Sequence, residues 1–162
     1  MKSTTDEIRV RFDNDVERFS NADTGQTATM DSALALSLIE KCIVRMNPKA
    51  ETLCDIGCGA GNFSLRVVRQ IPGIACTLID LSKPMLDRAV ERITNAGGNV
   101  EMVLQEDIRT VPLKAGHYDI IIAAAVLHHL RSREEWNAVL LSIFNSLKKG
   151  GTFWMWDLIR YD

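Results

Sequence analysis

No run in the sequence approaches the roughly 20 apolar residues that a membrane-spanning helix needs. The N-terminal MKSTTDEIRVRFD has no apolar core of the kind a secretory leader carries, so no membrane association is expected. A large excess of charge of either sign is also missing. Nineteen Lys and Arg against 21 Asp and Glu leave a formal net charge of -2, which gives no bulk attraction to nucleic acid or to an anionic surface. Cysteine is sparse and unpaired: Cys42, Cys54, Cys58 and Cys76 form no C-x-x-C pair and no Cys/His cluster, so no metal site is expected. Three of the four sit in or beside apolar stretches, which predicts buried, reduced thiols and a cytoplasmic location. There is no internal repeat and no low-complexity tract.

What is present is one domain's worth of chain, 162 residues with 46% hydrophobic content, enough for a real core. Residues 5–20 space Ile8, Phe12, Val16 and Phe19 for one amphipathic helix. A Gly/Thr/Asn-rich break follows. Leu34, Leu38, Ile39, Cys42, Ile43 and Met46 then recur at helical spacing up to Pro48. Beyond that point strand and helix patterns alternate. TLCDI, IACTLID, NVEMVL, HYDIIIAAAV and TFWMWDLI read as strands, the fourth apolar enough for the middle of a parallel sheet. GNFSLRVVRQI and SKPMLDRAVERITNA read as helices, the second with Ser82 as N-cap and Pro84 in its first turn. The last helix places Trp136, Val139, Leu140, Ile143, Phe144 and Leu147 on one face. Ser132 and Glu135 have capping-box spacing, and Lys148 to Gly151 are expected to close its C-terminal end.

Five strands with intervening helices predict a doubly wound α/β, Rossmann-like, mostly parallel sheet with helices on both faces and an N-terminal helical extension. Ligands in such sheets bind at the carboxyl ends of the strands. There the chain places CDIGCGAGN, with Gly57, Gly59 and Gly61 at alternate positions. The spacing is not G-x-G-x-x-G, because Asn62 stands where a dinucleotide site wants its third glycine, and no G-K-[ST] follows. Asp55, two residues before the first glycine, would repel a phosphate and suits a ligand with a cationic end. Asp80 ends the second strand, where a carboxylate can accept from both hydroxyls of a ribose. Asp107, just past the third strand, is placed to accept from an exocyclic amine such as adenine's. A nucleoside with a positive charge and no phosphate fits all three, as S-adenosylmethionine does.

The ordered set of DIGCGAG, LIDLSKPML, QEDI and YDIIIAAAVLHHL resembles the class I S-adenosylmethionine-dependent methyltransferases over residues 51–158. The VLHHL ending is similar to the branch acting mostly on small molecules, with some members acting on tRNA wobble uridines or their modifying cofactors. The N-P-P-[YF] motif of base-amine enzymes is absent. The resemblance implies S-adenosylmethionine as cofactor, S-adenosylhomocysteine as product, and a small-molecule or modified-nucleoside acceptor. It implies that the Gly57–Cys58–Gly59–Gly61 loop passes the methionine and ribose, Asp55 orients the ammonium and Asp80 takes the ribose diol. Leu81 and Met85 would pack near the adenine, with Asp107 and Ile108 bordering it, while Ala123, Ala124 and Val126 would line the floor below the sulfonium. His128 is a candidate general base for a hydroxyl or thiol. The other reading of His128 and His129 is that one lines the floor and the other caps the loop. Phe12, Arg18 and Phe19 are the local candidates for acceptor contact.

Two segments are therefore expected: a helical segment, 1–48, over the cofactor site, and a core, 49–162. Members of the family usually add a helix and an antiparallel hairpin after the fifth strand, so the core is expected to be C-terminally truncated. An edge strand as apolar as TFWMWDLI predicts self-association, as a homodimer through that edge. Its aromatics also allow a stacking platform. The competing functions are a non-catalytic methyltransferase-like module and an enzyme converting S-adenosylmethionine otherwise, such as by carboxymethyl-S-adenosylmethionine formation. The latter needs a cation near the methyl, which no motif supplies. Asn62 and Asp55 together disfavour a nicotinamide oxidoreductase.

Overall fold

In a computed structural model, which describes residues 3–21 and 32–157, the apolar run Tyr118–Ala124 (β4) lies in parallel beside Thr52–Ile56 (β1). Ala75–Asp80 (β2) flanks β1 on its other side, Asn99–Gln105 (β3) follows β2, and Leu147–Trp156 (β5) flanks β4. The strand order is β3-β2-β1-β4-β5, all parallel. Connections reverse direction between β1 and β4, and the crevice at that reversal is where such sheets bind ligands.

Parallel pairing requires crossovers, and three long helices supply most of them. Asn62–Gln70 (α4) links β1 to β2, Lys83–Asn95 (α5) links β2 to β3, and Arg133–Ser146 (α6) links β4 to β5. Ser82 caps α5, accepting from the Met85 N–H, and Ser132 caps α6, accepting from the Glu135 N–H. Alternation along β1 splits the core across the sheet. Leu53 joins Leu65, Val68, Leu86 and Ile93 of α4 and α5, together with Ile43 of Ser32–Met46 (α3). Cys54 and Ile56 join Val139 and Ile143 of α6 on the other face.

Four sequence expectations are corrected. Residues 5–20 form two helices, Thr5–Asp13 (α1) and Val16–Ser20 (α2), because the chain breaks at Asn14 and Asp15 restarts it. Lys148 to Gly151 do not close α6: the helix stops at Ser146, and these residues already pair as the irregular start of β5. The expected apolar face of α6 is only half used. Val139 and Ile143 are buried, but Leu140 is exposed and Phe144 is 72% exposed, since among the described residues the sheet ends at β5 and no further element packs over them. In α3, Leu36 and Ile43 are buried whereas Leu34, Leu38, Cys42 and Met46 are exposed. Cys54, Cys58 and Cys76 are buried and no cysteine is bonded to another. No helix among the described residues is long and apolar enough to cross a membrane.

Candidate functional site

The glycines of the β1–α4 loop do three different things. All three have left-handed backbone, φ 67° at Gly57, 51° at Gly59 and 76° at Gly61, where a side chain is strained. A Cβ on Gly57 would sit 2.5 Å from Val126 Cγ2, so this glycine lets the β4 exit pack on the loop. A Cβ on Gly61 would sit 3.0 Å from the Ala89 Cβ, so this one lets α5 approach. A Cβ on Gly59 would meet nothing within 4 Å, and Gly59 borders a cavity of about 380 Å³. That volume suits a small-molecule ligand.

The loop is tied to β2 by its backbone. The Gly57 and Cys58 N–H groups both donate to the Ile79 carbonyl, at 2.8 and 3.0 Å. The Gly59 N–H donates to Asp80 Oδ2 at 2.8 Å, and the Ser82 N–H donates to Asp80 Oδ1 at 2.9 Å. Asp80 thus stands at the cavity edge with both oxygens oriented by backbone. Asp55 is 2% exposed and accepts from Ser64 Oγ at 2.5 Å. Burial pushes its carboxyl up to about 6 despite the Ser64 hydrogen bonds, with the Asp80 charge adding to the rise. Burial also raises Asp80, against the backbone N–H groups that lower it. Two carboxyls that resist ionising side by side make a site that a cationic ligand would relieve. Asp107 differs. Its Oδ1 accepts from the Arg109 backbone N–H and Nε, both at 2.9 Å, and its Oδ2 accepts from Nη2. Those hydrogen bonds from Arg109 hold it below its ordinary value.

The N-terminal helices wall the cavity through polar ties to the core. Ser82 Oγ donates to Asp13 at 2.6 Å, Asn62 Nδ2 donates to the Phe19 carbonyl at 2.9 Å, and Arg109 Nη2 donates to Thr5 Oγ1 at 2.5 Å. Ile8 is buried and lines the cavity with Phe12 and Phe19, whose rings lie 5.3 Å apart. Arg11 and Arg18 border the same space.

The β4 exit completes the far wall. Ala125 adopts φ 54°, rare for a residue with a Cβ, and its N–H donates to the Trp156 carbonyl at 2.6 Å. This turn aims Val126 at Gly57 and starts the 3-10 turn Leu127–His129. Asp157 accepts from the His128 N–H at 3.1 Å and contacts His128 Nδ1 at 2.6 Å. The His128 and His129 rings lie against each other, centroids 4.1 Å apart and planes tilted by 45°. Trp156 faces the cavity, whereas Met155 faces out.

The methyltransferase-domain family matches residues 53–151. The chain belongs to the class I S-adenosylmethionine-dependent methyltransferases. It is 34% identical over 113 residues to a tRNA (carboxymethyluridine(34)-5-O)-methyltransferase of Xenopus tropicalis, covering 68% of this chain and 16% of that one. It is 32% identical over 102 residues to an uncharacterized methyltransferase of Mycobacterium tuberculosis, covering 63% of this chain and 48% of the relative. The chain therefore spans half or less of the length of these curated relatives. A SAM-dependent methyltransferase of Leishmania major superposes with TM-score 0.68 at 16% identity, over 94% of this chain and 68% of that one. The sugar N-methyltransferase KedS8 of Streptoalloteichus superposes with TM-score 0.63 at 18% identity, over 80% and 49%. These two likenesses carry the fold.

The family's cofactor is S-adenosylmethionine, and the methyltransferase cavity fits it: open space at Gly59, oriented acceptors on the half-buried Asp80, and the buried Asp55 beside it for a cation. Every cofactor residue expected from the sequence borders the cavity except Gly61 and Ala123. Gly61 is spent on α5, and Ala123 is fully buried on the α6 side of the sheet. Arg109 and Arg131 also line the cavity, with no motif to announce them. Asp157 had a signal: like Asp55 and Asp80, it is an acid at the end of an apolar strand.

Proposed function

We propose that this methyltransferase moves a methyl group from S-adenosylmethionine to a small molecule or a modified nucleoside. The observation that carries this reading is Asp80, held by the Gly59 and Ser82 N–H groups at the mouth of a cavity that Gly59 leaves open. S-adenosylmethionine supplies a methyl on a sulfonium that is already a good leaving group. The protein's part is alignment and exclusion of water.

In this reading Asp80 accepts from the ribose hydroxyls and Asp55 sets the field for the ammonium. Leu81, Met85 and Ile108 enclose the adenine beside Asp107, and Ala124 and Val126 support the reacting end. Phe12, Phe19 and Arg18 on the N-terminal segment cover the site and meet the acceptor. The free edge of β5 pairs with a second copy of the chain, and the unbonded cysteines suit a reducing, cytoplasmic setting. A modified nucleoside stays among the acceptors because the Xenopus relative is named for one.

The test is incubation with S-adenosylmethionine carrying a trideuterated methyl, in the presence of tRNA nucleosides and of a small-metabolite extract. Mass spectrometry should find one acceptor class gaining the label. Binding without transfer to either pool would favour a non-catalytic module. A specific observation also favours conversion of the cofactor itself: Arg11 borders the cavity with no carboxylate partner among the described residues. The chain is 26% identical over 129 residues to a carboxy-S-adenosyl-L-methionine synthase of Campylobacter lari. Formation of a carboxylated cofactor in the same assay would select that reading.

A further inference from the structure

We infer that the methyl acceptor is an anion, a carboxylate or phosphate carried on a flat aromatic body, and that Arg11 and Arg131 receive its charge at the cavity mouth. This rests on the methyl-transfer reading above and names the class of its substrate.

The inference starts from how charge divides around the cavity. The acids that line it among the described residues, Asp55, Asp80, Glu106 and Asp107, all stand at or just past the ends of β1, β2 and β3. The arginines lie elsewhere, apart from Arg109. Arg11 and Arg18 come from α1 and α2, and Arg131 follows the turn after β4. A ligand with a positive end suits the first side, and the second side suits a negative one.

The four arginines are not equivalent. Arg109 is neutralised by Asp107, with Glu135 at 3.5 Å. Arg18 is neutralised by Asp15 at 2.9 Å, and its guanidinium lies over the Phe19 ring. Arg11 forms no ion pair among the described residues, and its guanidinium carbon lies 5.8 Å from the Phe12 ring centroid. Arg131 Nη2 donates to the Ser3 carbonyl, an uncharged partner. Its field reaches Glu7 and Asp107, but it forms an ion pair with neither. Two other acids nearby are engaged: Asp13 accepts from Ser82 and Arg9, and Asp157 is held by His128. Arg11 and Arg131 therefore keep uncompensated charge, and both are exposed, which sets them at the mouth of the cavity.

The wall beside them is aromatic. Phe12 lies 5.3 Å from Phe19 and 6.4 Å from His129, edge-on to the latter, and Trp156 lines the same cavity. Such a wall takes a flat ring against its faces and edges. A guanidinium fork takes an oxyanion through paired N–H groups, and at a solvated rim it sets specificity more than affinity. Ring and charge together favour an aromatic oxyanion over a neutral or cationic acceptor.

The test uses the full chain saturated with S-adenosylhomocysteine and probes matched in shape but not in charge. These are phenylacetate against phenylacetamide, and uridine 5′-monophosphate against uridine. Titrations read by ligand magnetic resonance should show at least one anion binding about tenfold or more tighter than its neutral partner. The first pair reads a carboxylate and the second a phosphate. Raising salt to about 0.5 M should shrink the ratio, because the charges are solvated. Arg11→Gln, which breaks no hydrogen bond among the described residues, should cut the ratio about threefold or more. Adding Arg131→Gln should bring it to about 1, whereas Lys at both positions should keep part of it. All variants should bind S-adenosylhomocysteine within about 3-fold of the wild type. Equal binding of each anion and its neutral partner overturns the inference. So does a preference that survives both Gln substitutions, or no binding by any probe. Failure of S-adenosylhomocysteine to bind at all overturns the cofactor reading instead, and the two failures are thereby distinct.

Discussion

Asp80 Oδ2 accepts the Gly59 N–H at 2.8 Å, and this bond joins the turn after β1 to the end of β2. The same carboxylate takes the Ser82 N–H at 2.9 Å, so one side chain sets the loop and the start of α5 together. In Asp80→Ala both N–H groups lose their partner. The Gly59 amide is expected to exchange with solvent about tenfold faster or more, as one net hydrogen bond of about 1–1.5 kcal/mol implies. Native-state hydrogen exchange reads this directly. Unchanged protection at Gly59 would mean that the loop holds its shape without Asp80.

Gly57 and Gly59 share a backbone conformation but not surroundings, so their alanine variants should fail differently. Gly57→Ala puts a methyl 2.5 Å from Val126 on top of the left-handed strain, and should cost about 2–4 kcal/mol of stability. Gly59→Ala pays only the strain, about 1–2 kcal/mol, yet places its methyl in the open space by the cavity. It should melt near the wild type and bind S-adenosylhomocysteine at least about tenfold more weakly, a loss of about 1.4 kcal/mol. Thermal melts and calorimetry on the two variants separate the effects.

Asp55 gives a pH signature. Unfolded, it releases its proton near 3.8, whereas burial delays release in the folded chain to about 6. Between those values the folded state holds the extra proton, so stability falls as pH rises and levels off above 6. The cost there is on the order of 3 kcal/mol. Asp55→Asn keeps an acceptor for Ser64 and removes the charge. Its melting temperature should match the wild type near pH 4 and exceed it by a growing margin up to about pH 7, with cofactor affinity lost. A margin that widens toward acid would contradict the assignment.

These differences show how far the sequence reaches. Strand ends were legible because Asp55, Asp80 and Asp107 each follow an apolar run, and that placed the cavity's rim. The separate duties of Gly57 and Gly61 were not, because they depend on Val126 and Ala89, which approach from 69 and 28 residues away in the numbering. Asp107 looked free to accept, and its pairing with Arg109 is a local turn geometry that no spacing rule encodes. The exposed side of α6 is hidden from the sequence because its cover is tertiary. Helical periodicity marks a stripe as apolar, but only the sheet order reveals that β5 leaves half of it uncovered.

That uncovered surface bears on self-association. Leu141 and Phe144 on α6 and Met155 on β5 are all more than half exposed, beside the outer edge of the described sheet. If a second copy pairs there, light scattering should report a concentration-dependent dimer. Met155→Lys and Phe144→Glu should shift it to monomer with the fold intact, since both sites are already solvated. A wild type that is monomeric at every concentration would remove the pairing proposal and leave the cofactor site untouched.

The most direct test of the central claim is calorimetric titration of S-adenosylhomocysteine into the chain, with NAD as control and Asp80→Ala alongside. The account predicts micromolar binding of S-adenosylhomocysteine, none of NAD, and loss of binding in the variant. A folded chain that ignores S-adenosylhomocysteine, or binds it equally well without Asp80, would contradict it.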